Sequence, residues 1–109
     1  MPKGVIFDGV TELVQHLRNV RVDFLDFGCS RGQSISAAME TFGVNTGVGI
    51  DLDSGKLTEA SNAGYDVAGI DILSIPDEPL VRFVTMVHFL EHLLGYDDAK
   101  AMTRKVCRV

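Results

Sequence analysis

The stretch Phe24-Leu25-Asp26-Phe27-Gly28-Cys29-Ser30-Arg31-Gly32-Gln33-Ser34 decides the fold. From Val22 to Phe27 the residues are apolar or β-favouring apart from two acids, which reads as a strand. That strand runs straight into a loop with glycines at 28 and 32. The loop leads into a helical pattern of Ile35, Ala38, Met39 and Phe42. A strand, a tight glycine loop and a helix N-terminus in that order build a cradle for a nucleotide-type cofactor. Gly28 and Gly32 let the backbone approach a ligand more closely than any side chain would permit.

The surrounding elements repeat the same alternation. Val10, Leu13, Val14 and Leu17 follow the i, i+3, i+4, i+7 spacing of an amphipathic helix. A helix over 34–42 meets its stop signal at Gly43. Gly47 to Ile50 read as a second strand ending at Asp51, and Asp53 or Ser54 caps a helix through Leu57 and Ala60 that Gly64 closes. Residues 66–70 form a third strand, closed by Asp71 and followed by a loop with Pro76 and Pro79. Phe83-Val84-Thr85-Met86-Val87 is a nearly continuous apolar fourth strand of the kind buried in a parallel sheet. Asp97 then caps a final helix with Ala99, Met102 and Val106 on one side.

Strands alternating with helices imply right-handed crossovers and a mostly parallel sheet. The expected fold is a three-layer, Rossmann-like α/β domain with strand order 3-2-1-4, truncated after the fourth strand. The apolar edge of that strand, Phe83 to Val87, then invites self-association.

At 109 residues the chain makes one domain, which buries roughly 65% of its unfolded surface. A net charge of −5, without a basic run, argues against direct binding to a nucleic-acid backbone. Cys29 and Cys107, far apart, read as two free thiols of a reducing compartment. There is no secretory signal pattern and no apolar run near the ~20 residues that span a bilayer, so no membrane partner is expected and the expected location is cytoplasmic.

Ligands of such sheets bind beyond the carboxyl ends of the strands. Asp26, Asp51 and Asp71 all fall at expected strand ends. Asp51 follows the glycine loop at close to the ~20-residue spacing at which an acid reaches ribose hydroxyls. Asp71, with the amide of Ile72, suits an adenine edge, and Asp26 suits loop orientation or a cationic part of the ligand. Each acid alone would more simply cap the turn that follows it. The loop is G-x-x-x-G rather than the three-glycine dinucleotide fingerprint, and no Gly-Lys-Ser/Thr follows as in a P-loop. His88-Phe89-Leu90-Glu91-His92 fits an H-x-x-E-H zinc pattern, but His16 is the only histidine left as a third ligand. His16, four residues after Glu12 on a helix, reads as a surface pair with it.

With these motifs the chain resembles the N-terminal portion of class I S-adenosylmethionine-dependent methyltransferases, from Val22 to Val109. Residues 26–32 look like that family's first motif, Gly49-Ile50-Asp51-Leu52 its second, and Gly69-Ile70-Asp71-Ile72 its adenine-contacting turn. Val84 to His92 look like its fourth strand and the loop lining the methyl group. Ser30 stands where the family often has a middle glycine. The resemblance implies S-adenosylmethionine as cofactor over the single domain 1–109. Asp26, Gly28, Ser30 and Gly32 would hold its methionine end, Asp51 and Leu52 the ribose, and Asp71 and Ile72 the adenine. It also implies an unnamed methyl acceptor approaching from the side of His88, the candidate base. The alternatives are a non-catalytic or oligomer-completed cofactor binder, or an enzyme that degrades S-adenosylmethionine without an acceptor.

Overall fold

Successive side chains of the central strands point to opposite faces of the sheet, and this sorts the core into two. The structure, a computed structural model, describes residues 3–86. In chain order these form β1 (Ile6–Phe7), α1 (Val10–Asn19), β2 (Phe24–Phe27), α2 (Gln33–Phe42), β3 (Gly47–Ile50), α3 (Ser54–Asn62) and β4 (Asp66–Ala68). A 3₁₀ turn at Ile72–Ser74 and β5 (Phe83–Thr85) follow. All strands run parallel in the order β1-β4-β3-β2-β5.

One face of the sheet presents Leu25 and Phe27 of β2 with Val48 and Ile50 of β3. It packs on Leu13 and Leu17 of α1 and on Ile72 and Ile75 around the 3₁₀ turn. The opposite face presents Phe24 and Val67 to Ile35 and Ala38 of α2 and to Leu57 and Ala60 of α3. Burying a leucine such as Leu13 contributes roughly 1.5–3 kcal/mol relative to leaving it in water. On this second face β3 carries only glycine, and neighbours take the space. A Cβ at Gly47 would lie 2.3 Å from the Phe24 ring, and one at Gly49 would lie 2.5 Å from Cys29 Sγ and 2.6 Å from Ile35 Cδ1.

The expected α/β class and the parallel alternation are present, and the four expected strands keep the order 3-2-1-4 as β4-β3-β2-β5. The four-strand sheet is corrected to five: β1 adds outside β4, pairing Ile6 with Val67 and Phe7 with Ala68. Two residues are too short to show a period, so β1 has no pattern in the sequence. Contacts distant in the chain hold it. Val67 N–H donates to Val5 O at 2.9 Å, Val5 N–H to Asp66 Oδ1 at 2.8 Å and Gly4 N–H to Ser61 O at 2.8 Å.

Strand and helix ends also shift. The first strand begins at Phe24 rather than Val22, and the third stops at Ala68, so Asp71 lies beyond the strand and caps the 3₁₀ turn. Gly43 (φ 65°) ends α2 as expected, and Asp53 is the N-cap of α3, accepting the Lys56 N–H at 3.1 Å. The Glu12–His16 pair is replaced: Glu12 accepts the Asp8 N–H at 3.3 Å, while the half-buried His16 ring lies 4.8 Å from that of Phe7. Among the described residues β5 pairs with β2 alone. Val87, the final helix from Asp97 and Cys107 lie outside the described residues.

The second face makes a direct prediction. Gly49→Ala forces a methyl against Cys29 and Ile35, and overpacking of this kind costs about 1–3 kcal/mol. Urea unfolding is expected to show that loss; an unchanged midpoint would mean that the thiol and Ile35 yield freely.

Candidate functional site

Beyond the carboxyl end of β2 the backbone turns through three left-handed residues, Gly28 (φ 76°), Ser30 (φ 53°) and Gly32 (φ 102°). Ser30 is the one described non-glycine residue with positive φ, a conformation that costs side-chain-bearing residues energy. Neighbouring strand ends hold the loop in place. Ile50 O accepts from Gly28 N–H at 2.7 Å and from Cys29 N–H at 3.2 Å. Ser30 N–H donates to Asp51 Oδ2 at 2.9 Å, and Gly32 N–H donates to Cys29 O at 3.0 Å. Gly32 then caps α2 through its carbonyl, which accepts the Ser36 N–H. The result is a turn at a helix N-terminus, hydrogen-bonded to the end of β3.

Asp51 serves two turns at once. Oδ2 takes the Ser30 amide, and Oδ1 takes the Asp53 N–H at 3.0 Å. Hydrogen bonds to a charged group are worth roughly 1.5–3 kcal/mol each. A carboxylate has about four acceptor positions, so two remain for a ligand.

Asp26 is fully buried at the end of β2. Its Oδ2 accepts the Ser34 hydroxyl and its Oδ1 the Thr85 hydroxyl at 2.7 Å, joining α2, β2 and β5. Burial pushes the Asp26 carboxyl above the usual range. The Ser34 and Thr85 hydroxyls pull it partly back, and the nearby Asp51 charge pushes it further up. Cys29 is buried, its thiol raised to about 12 by burial and by the Asp51 and Asp26 carboxylates. It is an unreactive filler over Gly49 rather than a nucleophile.

The expected site residues thus divide. The loop, Asp26 and Asp51 come together at one strand end. Asp71 is exposed and its Oδ1 accepts the Leu73 N–H at 3.0 Å, the turn-capping behaviour that a lone acid suggests. The Ile72 side chain belongs to the core, and Leu52 projects outward with 73% of its surface exposed. His88, and with it the H-x-x-E-H pattern, lies outside the described residues. Among the described residues no group of three or more His, Cys, Asp or Glu side chains is placed to hold a metal ion, and no helix is long and apolar enough to cross a membrane.

Two participants are not among the residues singled out from the sequence: Ser34 and Thr85, whose hydroxyls satisfy Asp26. Thr85 did leave a signal, as the single polar residue in Phe83 to Val87, directly opposite Asp26 in the β2–β5 register.

No protein-family model and no curated protein sequence matches the chain. Solved structures do match it. A SAM-dependent methyltransferase from Archaeoglobus fulgidus is 20% identical with a TM-score of 0.65, over 92% of this chain and 48% of that one. The sugar N-methyltransferase KedS8 from Streptoalloteichus sp. is 17% identical with a TM-score of 0.64, over 91% of this chain and 40% of that one. SAM-bound CalS10, an amino pentose methyltransferase from Micromonospora echinaspora, is 19% identical with a TM-score of 0.62, over 92% of this chain and 43% of that one. These likenesses show a shared Rossmann-like α/β fold. The chain spans less than half the length of each of the three.

Asp26 supplies a test of the site's electrostatics. Because its folded value is raised, the native chain holds a proton that the unfolded chain has lost between the ordinary 3.8 and the folded value. Stability therefore falls as pH rises through that window and stays lower above it. Asp26→Asn keeps a partner for each hydroxyl without the charge. The variant is expected to be the more stable chain at neutral pH in urea unfolding, with the gap closing below the carboxylate range. A less stable variant at neutral pH would show that the hydroxyl bonds outweigh desolvation.

Proposed function

We propose that this chain holds S-adenosylmethionine across the carboxyl ends of β2, β3 and β4, as the cofactor-binding portion of a methyltransferase. The observation that carries the reading is the Ser30 N–H bond to Asp51, which welds the glycine loop to the ribose-side acid. The loop's backbone and the helix N-terminus would receive the methionine end through Gly28, Ser30 and Gly32. Asp51 would accept the ribose hydroxyls on its unused positions, beside Leu52. Asp71 and the Ile72 amide would meet the adenine edge.

The charge balance fits this ligand. S-adenosylmethionine brings an ammonium and a sulfonium, and its methyl group, activated by the sulfonium, is the chemistry it supplies to an oxygen, nitrogen or carbon nucleophile. Asp26 and Asp51 present negative charge to that end, Asp26 through the field rather than by contact. Arg31, the one cation of the quoted loop stretch, is turned onto Glu59. Methyl transfer from a sulfonium depends largely on positioning and exclusion of water. In this reading the described residues orient the ligand, and His88 stands as the proposed base toward the acceptor. The fold-sharing enzymes support it, since one of them was solved with SAM bound. Self-association through the Phe83 to Val87 edge is a second proposal, motivated by the single described partner of β5.

Calorimetric titration with S-adenosylmethionine tests the first. Asp51→Ala is expected to weaken binding at least tenfold, about 1.4 kcal/mol. No heat from a folded wild-type chain would overturn the reading. S-adenosylhomocysteine as the product would mark methyl transfer, whereas other fragments would mark acceptor-independent breakdown. For the second, sedimentation is expected to show a dimer; a clean monomer would remove it.

A further inference from the structure

Gly32 has two reasons to be glycine, and only one of them concerns backbone torsion. A Cβ at this position would lie 2.5 Å from Tyr65 Cδ2 and 2.8 Å from Cε2. The space beside the loop's last residue is therefore filled by a ring from the far end of α3. We propose that Tyr65 is a positioning residue for the glycine loop, a prop that holds the left-handed turn in the shape it takes at the N-terminus of α2.

Tyr65 is itself firmly placed. Its N–H donates to Ala60 O at 3.1 Å as the chain leaves α3 through Gly64 (φ 98°), a glycine-dependent helix end. Its carbonyl sits so close to Gly4 that a Cβ there would come within 1.9 Å of the oxygen. Its half-buried ring joins the cluster of Phe24, Cys29, Ile35 and Ala38. The Arg31–Glu59 ion pair ties the same loop to the same helix a few residues away. On its sheet side the loop is held by Ile50 O and Asp51; on its helix side it leans on Tyr65. Without the ring, Gly32 faces a void, and a residue free to adopt many backbone conformations loses its restraint.

The test reads loop order directly, by hydrogen exchange of the Gly28, Cys29, Ser30 and Gly32 amides in the ligand-free chain, with β3 and β4 amides as the reference. Tyr65→Phe is expected to leave exchange unchanged. Tyr65→Ala and the milder Tyr65→Val are expected to speed loop exchange about tenfold while the reference amides hold. Gly32→Ala, which sets a methyl against the ring at a left-handed torsion, is expected to loosen the same amides. Unchanged loop exchange in Tyr65→Val overturns the proposal. Outright unfolding of both the Ala and Val variants also overturns it, because the ring would then be a general core residue. A parallel titration with S-adenosylmethionine is expected to weaken in Tyr65→Val and recover in Tyr65→Phe. That arm rests on the proposed cofactor; the exchange arm does not, so a wild-type chain that binds nothing defeats the function reading alone.

Discussion

The carboxylate of Asp51 is the constraint on which the site depends. It ends β3, caps its own turn through Asp53 and reaches sideways to the Ser30 amide on the neighbouring element. Ser30 has no glycine's freedom, yet it sits at φ 53°. A charge-assisted bond to its N–H is the kind of local force that offsets such strain. The glycine loop is thus shaped by β3 as much as by its own glycines.

Behind that turn β3 keeps one face large and the other small. Val48 and Ile50 fill the α1 side, whereas Gly47 and Gly49 leave room on the α2 and α3 side for Phe24, Cys29 and Ile35. The loop therefore rests on a close-packed floor in which even a methyl group has no space. Cys29 belongs to this floor. Its burial and the two nearby carboxylates suppress the thiolate, so a cysteine in the middle of the glycine loop serves packing.

Asp26 shows how a fold tolerates a buried carboxylate. Two hydroxyls from different elements satisfy it, one on α2 and one on β5, yet among the described residues no basic side chain pairs with its charge. Such a group costs stability and is retained where its charge or its cross-links matter. Here it links the strand, the helix that follows the loop and the next strand of the sheet.

The amino-acid sequence by itself determined the parallel α/β plan and the strand-loop-helix at residues 24–42. It also determined the pairing of the loop with an acid one strand later. These are local signals: hydrophobic period, glycine punctuation and a short spacing between motifs. Tertiary structure decided the rest. β1 exists because Asp66, Val67 and Ser61 satisfy a segment too short to have a period of its own. Asp71 turned out to cap a turn, and Asp26 to bind Ser34 and Thr85, because strand ends and register set which hydroxyl faces which carboxylate. Tyr65 reaches Gly32 across 33 positions of chain, and no local pattern encodes a contact made only when two helices pack on the same side of a sheet.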